Sequence, residues 1–62
     1  MKITIKSARV NAGLTQLQAA KKLGISKYTL SAWEQGKRYP RLDDMLKLCK
    51  LYGVEFSDIL IS

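Results

Sequence analysis

The stretch TQLQAAKKLGISKYTLSAWEQG, residues 15–36, decides the fold. Thr15-x-x-Gln18 reads as a capping box, in which each side chain satisfies an orphan amide of a helix's first turn. The helix it opens runs through Ala19, Ala20 and Leu23 and stops at Gly24. Only Ile25 separates that stop from the next cap, Ser26. Another helix follows, with Leu30 and Trp33 turned inward, and ends at Gly36. Two helices joined by so short a turn, with glycine at its start, form a helix-turn-helix. Ala20 suits the joint, because a bulkier side chain would pry apart helices that approach so closely. Ile25 is expected to plug the core beneath it.

Similar signals extend outward in both directions. On the N-terminal side Thr4 caps a first helix with Ile5, Ala8, Arg9 and Ala12 on one face, and Gly13 ends it. An alternative is a short strand in which Ile3 and Ile5 alternate, but no partner strand is evident. On the C-terminal side Lys37-Arg38-Tyr39-Pro40-Arg41 is a basic loop, and Pro40 disfavours helix at Tyr39. A fourth helix spans roughly Leu42 to Tyr52, with Asp43 and Asp44 in its first turn and Lys47 and Lys50 nearer its end, as the helix dipole favours. Leu42, Met45, Leu48, Cys49 and Tyr52 recur at helical spacing and form its inner face, and Gly53 closes it. A last short helix near Ser57–Ile61 is expected to lay Ile59 and Leu60 over the core. The reading is an all-α, compact bundle of five short helices, with residues 1–62 as a single domain.

Composition limits the function classes. A chain of 62 residues buries only about 60% of the surface its unfolded form exposes, so its stability margin is thin. One cysteine and no histidine argue against a disulfide and a structural zinc site. There is no apolar run of about eighteen residues, and the segment Met1 to Lys6 lacks the apolar core of a signal peptide. These features fit a cytoplasmic protein that does not engage a membrane. Catalysis has little support: there is no metal-ligand cluster, phosphate-cradling glycine loop or candidate triad, and no cofactor is implied.

Charge points to a partner. The net charge is +6, and it is unevenly distributed. Residues 1–42 hold nine Lys/Arg against the lone Glu34, a balance of +8. Residues 43–62 hold Lys47 and Lys50 against Asp43, Asp44, Glu55 and Asp58, a balance of −2. A charge kept only for solubility needs no such segregation, whereas a polyanion such as nucleic acid does.

The assembled residues resemble the XRE family of helix-turn-helix proteins, the type of the phage repressors and Cro. The matching run is Arg9-x-x-x-Gly13-Leu14-Thr15-Gln16, Ala20, Leu23-Gly24-Ile25-Ser26 and Trp33-Glu34-Gln35-Gly36-Lys37-Arg38-x-Pro40. It continues into Leu48, Tyr52-Gly53-Val54 and Ile59-Leu60, so that nearly the whole chain is covered. The resemblance implies a five-helix, lambda-repressor-like fold, a transcriptional-regulator role and dimeric binding to a two-fold operator. It also implies that Arg9 and Glu34 form a structural ion pair joining the first helix to the end of the third. Two departures stand out. Ala19 falls where the family has a larger aliphatic residue, and Leu17 takes a commonly polar position where it is expected to cover the gap. Ala32, on the reading face, is the other.

In a helix-turn-helix the start of the recognition helix meets base edges while the preceding helix crosses the backbone. With Ser26 as cap, Lys27, Tyr28, Ser31, Ala32 and Gln35 point outward. Lys27, Tyr28, Ser31 and Ala32 are the candidates for base contact, and the resemblance puts the weight on Lys27, Tyr28 and Ala32. Lys27 can donate to guanine O6 or N7, Tyr28 can donate its hydroxyl or pack on a thymine methyl, and Ala32 can offer only apolar contact. The plainer readings are a solvated lysine, a tyrosine on phosphate and an alanine touching nothing. Gln16 and Ser26, at two helix starts, are candidates for phosphate on one side of the groove. Gln35, Lys37, Arg38 and Arg41 are candidates on the other. Lys21 and Lys22 read as a solvent-facing stretch, Trp33 as core, and Cys49 as a buried small residue.

The partner expected is therefore double-stranded DNA, bound by a homodimer at least when on DNA, with no small-molecule ligand. The competing reading is an antitoxin-like or other protein-interaction module with a protein partner. The resemblance implies that alternative, since some members of the family act as antitoxins or bind other regulators. Leu46, Leu51, Phe56 and Ile61 are more apolar than a monomer surface needs, and part of that set is expected to form a two-fold dimer interface beside the acidic C-terminal segment.

Overall fold

Three hydroxyl caps set the helices of the computed structural model, which describes residues 2–60. Thr4, Thr15 and Ser26 are extended at their backbones, and each side-chain oxygen accepts from the amide three residues on. They open α1 (Ile5–Asn11), α2 (Gln16–Leu23) and α3 (Lys27–Glu34). At Thr15 the box is reciprocal, because the Gln18 side chain accepts from the Thr15 amide at 2.9 Å. Helix α4 (Leu42–Tyr52) starts at Arg41 with no side-chain cap, and Asp43 and Asp44 in its first turn supply the favourable charge.

Gly24 ends α2 with φ 73°, a conformation other residues adopt at a cost. The Ile25 amide donates back to the Ala20 carbonyl at 3.0 Å, which turns the chain straight into the Ser26 cap. Ala19 and Ala20 are buried, small side chains on a helix that packs against both α3 and α4. Leu30, Met45 and Leu48 are the largest fully buried side chains, each worth about 1.5–3 kcal/mol of burial. Ile5, Ala8, Trp33, Cys49, Tyr52 and Ile59 complete the core, with Leu14, Leu23, Ile25, Leu51 and Val54 packed against it.

Several expectations change. The described residues form four α-helices, one 3-10 turn (Phe56–Asp58) and a two-stranded parallel sheet, rather than five helices. Strand β1 (Ile3–Thr4) pairs with β2 (Ile59–Leu60), in the register Ile3 to Ile59 and Thr4 to Leu60. The described part of the region assigned to a last helix, residues 57–60, is thus a tight turn and then extended chain. Extension lets Ile59 face the core while its backbone pairs with the other end of the chain; Leu60 points out, because side chains alternate along a strand. The Lys2 ammonium donates to the Ser57 carbonyl across the same junction.

Leu42 is 67% exposed rather than on the inner face of α4. Met45, Leu48, Cys49 and Tyr52 define that face, and at 3.6 residues per turn Leu42 lies roughly 70° from its centre. Ala12 is likewise exposed, since α1 ends at Asn11 before the face is extended. Leu17 is 52% exposed, and Ala19 is fully buried. Leu51 packs against the core and is not free surface. Ile61 lies outside the described residues.

Candidate nucleic-acid interface

The surface around α3 is built by its two ends. At its start the Ser26 Oγ accepts from the Thr29 amide at 3.1 Å and lies 3.0 Å from the Thr29 hydroxyl. That cap leaves the next two side chains, Lys27 and Tyr28, outside the protein, and Tyr28 is 83% exposed. One turn on, Ser31 and Ala32 are half-buried. The Gln35 Nε2 donates to Ser31 Oγ at 2.9 Å, so two of the candidate residues steady each other.

At the far end Gly36, at φ 75°, lets the chain reverse. The Gly36 amide donates to the Trp33 carbonyl at 3.2 Å, and the Lys37 amide to the Ala32 carbonyl at 2.9 Å. These two bonds form a Schellman closure. It fixes where the basic loop leaves the helix, so Lys37, Arg38 and Arg41, all exposed, follow α3 directly. Tyr39, 60% exposed between Arg38 and Pro40, is a further hydroxyl donor on this loop that received no role from the sequence. Its signal was present, an aromatic interleaved with basic residues, but proline beside it reads first as loop chemistry. Thr29 likewise has no role among the sequence candidates. Its hydroxyl engages the Ser26 cap, a contact that the spacing of three residues allows at a helix start.

The start of α2 meets the end of α3. Gln16 is half-buried, and its Nε2 donates to Glu34 Oε1 at 3.0 Å. Glu34 is the only acid among residues 1–42, and it is neutralised in place. Arg9 Nε donates to its Oε2 at 2.8 Å and Arg9 Nη2 to its Oε1 at 3.3 Å. Arg9 Nη1 reaches the Leu14 carbonyl at 2.8 Å. The Glu34 side chain is 3% exposed, so its charge is withdrawn from solvent, whereas Lys27, Lys37, Arg38 and Arg41 are all exposed.

Elsewhere, Cys49 is buried and its thiol pKa is raised, by burial first and then by the charge of Glu55, which disfavours the nucleophilic thiolate. Among the described residues no group of three or more His, Cys, Asp and Glu could hold a metal ion, and no helix is long and apolar enough to cross a membrane.

Known proteins are similar to this chain. The family profile described as Helix-turn-helix matches residues 5–59. An uncharacterized HTH-type transcriptional regulator of Methanocaldococcus jannaschii is 44% identical over 61 residues, 98% of this chain and 92% of that protein. The HTH-type transcriptional regulator ImmR of Bacillus subtilis is 45% identical over 56 residues, 90% of this chain but 44% of its own length. The cryptic phage CTXphi transcriptional repressor RstR of Vibrio cholerae is 36% identical over 56 residues, again 90% of this chain and 50% of its own. The chain thus spans about half the length or less of those two relatives. No solved structure matches it with significance. The span from Ile5 to Ile59 covers all four helices and the turn between α2 and α3, and the chain belongs to the XRE family of helix-turn-helix proteins.

Proposed function

We propose that this chain is a sequence-specific double-stranded DNA-binding protein, a small transcriptional regulator acting as a repressor, with α3 inserted in the major groove. One observation carries the reading: Lys27 and Tyr28 stand exposed on the first turn of α3, the exposed Lys37, Arg38 and Arg41 follow its end, and the one carboxylate among residues 1–42 is held by Arg9. In this role Lys27 and Tyr28 read base edges, with Ser31 and Ala32 beside them. Gln16 and Ser26 hold one phosphate strand, and Gln35, Lys37, Arg38 and Arg41 hold the other. The names of ImmR and RstR, regulator and repressor, support the regulatory assignment.

The protein acts as a homodimer on a two-fold operator, its two recognition helices about 34–36 Å apart in successive major grooves. Leu46 and Phe56, exposed at 53% and 43% in the part of the chain where acids outnumber bases, supply apolar surface for a second copy. The repulsion between two basic faces is then kept away from the interface.

The test is selection from a pool of random-sequence duplexes. Enrichment of a short two-fold-symmetric site supports the reading. Salt-sensitive binding with no enriched sequence contradicts it and turns attention to a protein partner on the Leu46 and Phe56 surface.

A further inference from the structure

The carboxylate of Glu34 carries more donors than its ion pair alone would bring. Arg9 occupies both of its oxygens, and Gln16 Nε2 adds a third donor on Oε1 at 3.0 Å. Glu34 is the last residue of α3 and Gln16 the first of α2, so one bond joins the end of the recognition helix to the start of the helix before it. Arg9 also holds the Leu14 carbonyl, two residues ahead of Gln16. Three segments therefore meet on a side chain that is 3% exposed.

The chemistry of that bond decides the direction of the Gln16 amide. A carboxylate only accepts, so the end of the amide that meets Glu34 is the nitrogen. One of its two protons goes to Glu34 Oε1. The second proton has no partner among the described residues, and Gln16 is only half-buried. A glutamine without such an anchor can present either its carbonyl or its NH2 to a neighbour. A phosphate oxygen also only accepts, so only the NH2 is of use to it.

We propose that Glu34 is a positioning residue for DNA binding: it holds the Gln16 amide so that an N–H is presented to a backbone phosphate. The buried ion pair then sets the phosphate register of α2 relative to α3, in addition to holding the fold. This rests on the DNA-binding reading above, and the test separates the two.

The test follows the glutamine side-chain NH2 signals of the full 15N-labelled chain by NMR, with the signals of Gln16 identified by their loss in Gln16→Met. On saturation with a selected duplex, one Gln16 proton keeps its position against Glu34 and the other shifts. Duplex affinities are then compared for wild type, Gln16→Met, Glu34→Gln and the double variant, at a temperature where circular dichroism shows all of them folded. Gln16→Met weakens binding about tenfold, the size expected for a hydrogen bond to a charged group. Glu34→Gln, which replaces an acceptor oxygen by a donor, weakens binding in the wild-type background and has no further effect once Gln16 is gone. Additive losses, or Gln16 signals that the bound duplex leaves unmoved, overturn this inference alone. A wild-type chain that binds no duplex overturns the DNA reading and this inference with it. If Glu34→Gln fails to fold, the wild-type spectra decide.

Discussion

Arg9 Nε stands 2.8 Å from Glu34 Oε2, and this contact ties α1 to the last residue of α3 with both side chains nearly closed to water. Taking two charges out of water is costly, and here the cost is offset by four hydrogen bonds that occupy both carboxylate oxygens and all three guanidinium nitrogens. Removing one partner strands the other. Glu34→Ala leaves Arg9 buried and uncompensated, an expected loss of about 3–5 kcal/mol. A core this small rarely supplies more than about 3–5 kcal/mol in total. The variant should therefore be largely unfolded at 25 °C, as a urea titration followed by circular dichroism would show. A midpoint close to that of the wild type would remove the pair from the account of stability.

A second prediction concerns Tyr52. Its hydroxyl is buried with no hydrogen-bond partner among the described residues. Its pKa is pushed up to about 12, by burial first and by the negative charge of Glu34 next, with Arg9 opposing. The folded value lies above the unfolded value of roughly 10, so the folded state keeps the proton longer. The associated stability is present below about pH 10 and is lost as the pH climbs towards 12. Tyr52→Phe removes both the unpaired hydroxyl and this dependence. At pH 7 its melting temperature should equal or exceed that of the wild type, and its decline between pH 10 and 12 should be shallower. Some decline remains, because the Cys49 thiol also has a raised pKa. A Tyr52→Phe variant that melts well below wild type at pH 7 would mean that the hydroxyl has a partner.

Much of this fold is legible because its signals are local. The caps Thr4, Thr15 and Ser26 lie three residues from the amides they bond, and Gly24 and Gly36 mark their turns by backbone freedom alone. The pairing of Ile3 with Ile59 is the opposite case. Two-residue strands have no period to detect, and their partners are at opposite ends of the chain. Leu42 shows a different limit. Helical spacing tells which residues share a stripe, whereas how far the neighbouring helices reach along it depends on packing. Within the candidate site, the residue types and their order around α3 can be read from sequence. The Gln16 bond to Glu34 cannot, because it depends on two helix ends meeting.

The basic loop should act on phosphates without choosing sequences. Alanine at Lys37, Arg38 or Arg41 is expected to weaken binding to all duplexes by a similar factor. Each should lower the slope of log affinity against log salt by about 0.9. A change in which site is preferred, with the salt slope intact, would move that residue from the backbone to the bases.

The dimer has its own readout. With an operator-length duplex present, the protein mass per duplex should be twice the chain's 7.0 kDa by light scattering. Leu46→Lys together with Phe56→Lys, both at exposed positions, should halve that mass while leaving the helical signal unchanged. A wild-type chain that is monomeric both free and on a two-fold site would rule the homodimer out.

The central claim is that the first turn of α3 reads bases, and the most direct measurement is discrimination. Affinities for a selected duplex and its scrambled control would be compared between wild type and the double variant Lys27→Ala and Tyr28→Ala. The account predicts that the wild type prefers the selected duplex and that the variant keeps its helicity and its weak binding to the control. It also predicts that the variant loses at least about tenfold of that preference, since a specific base contact is worth about 1–3 kcal/mol. A variant that discriminates as well as the wild type would show that these two residues do not read the site.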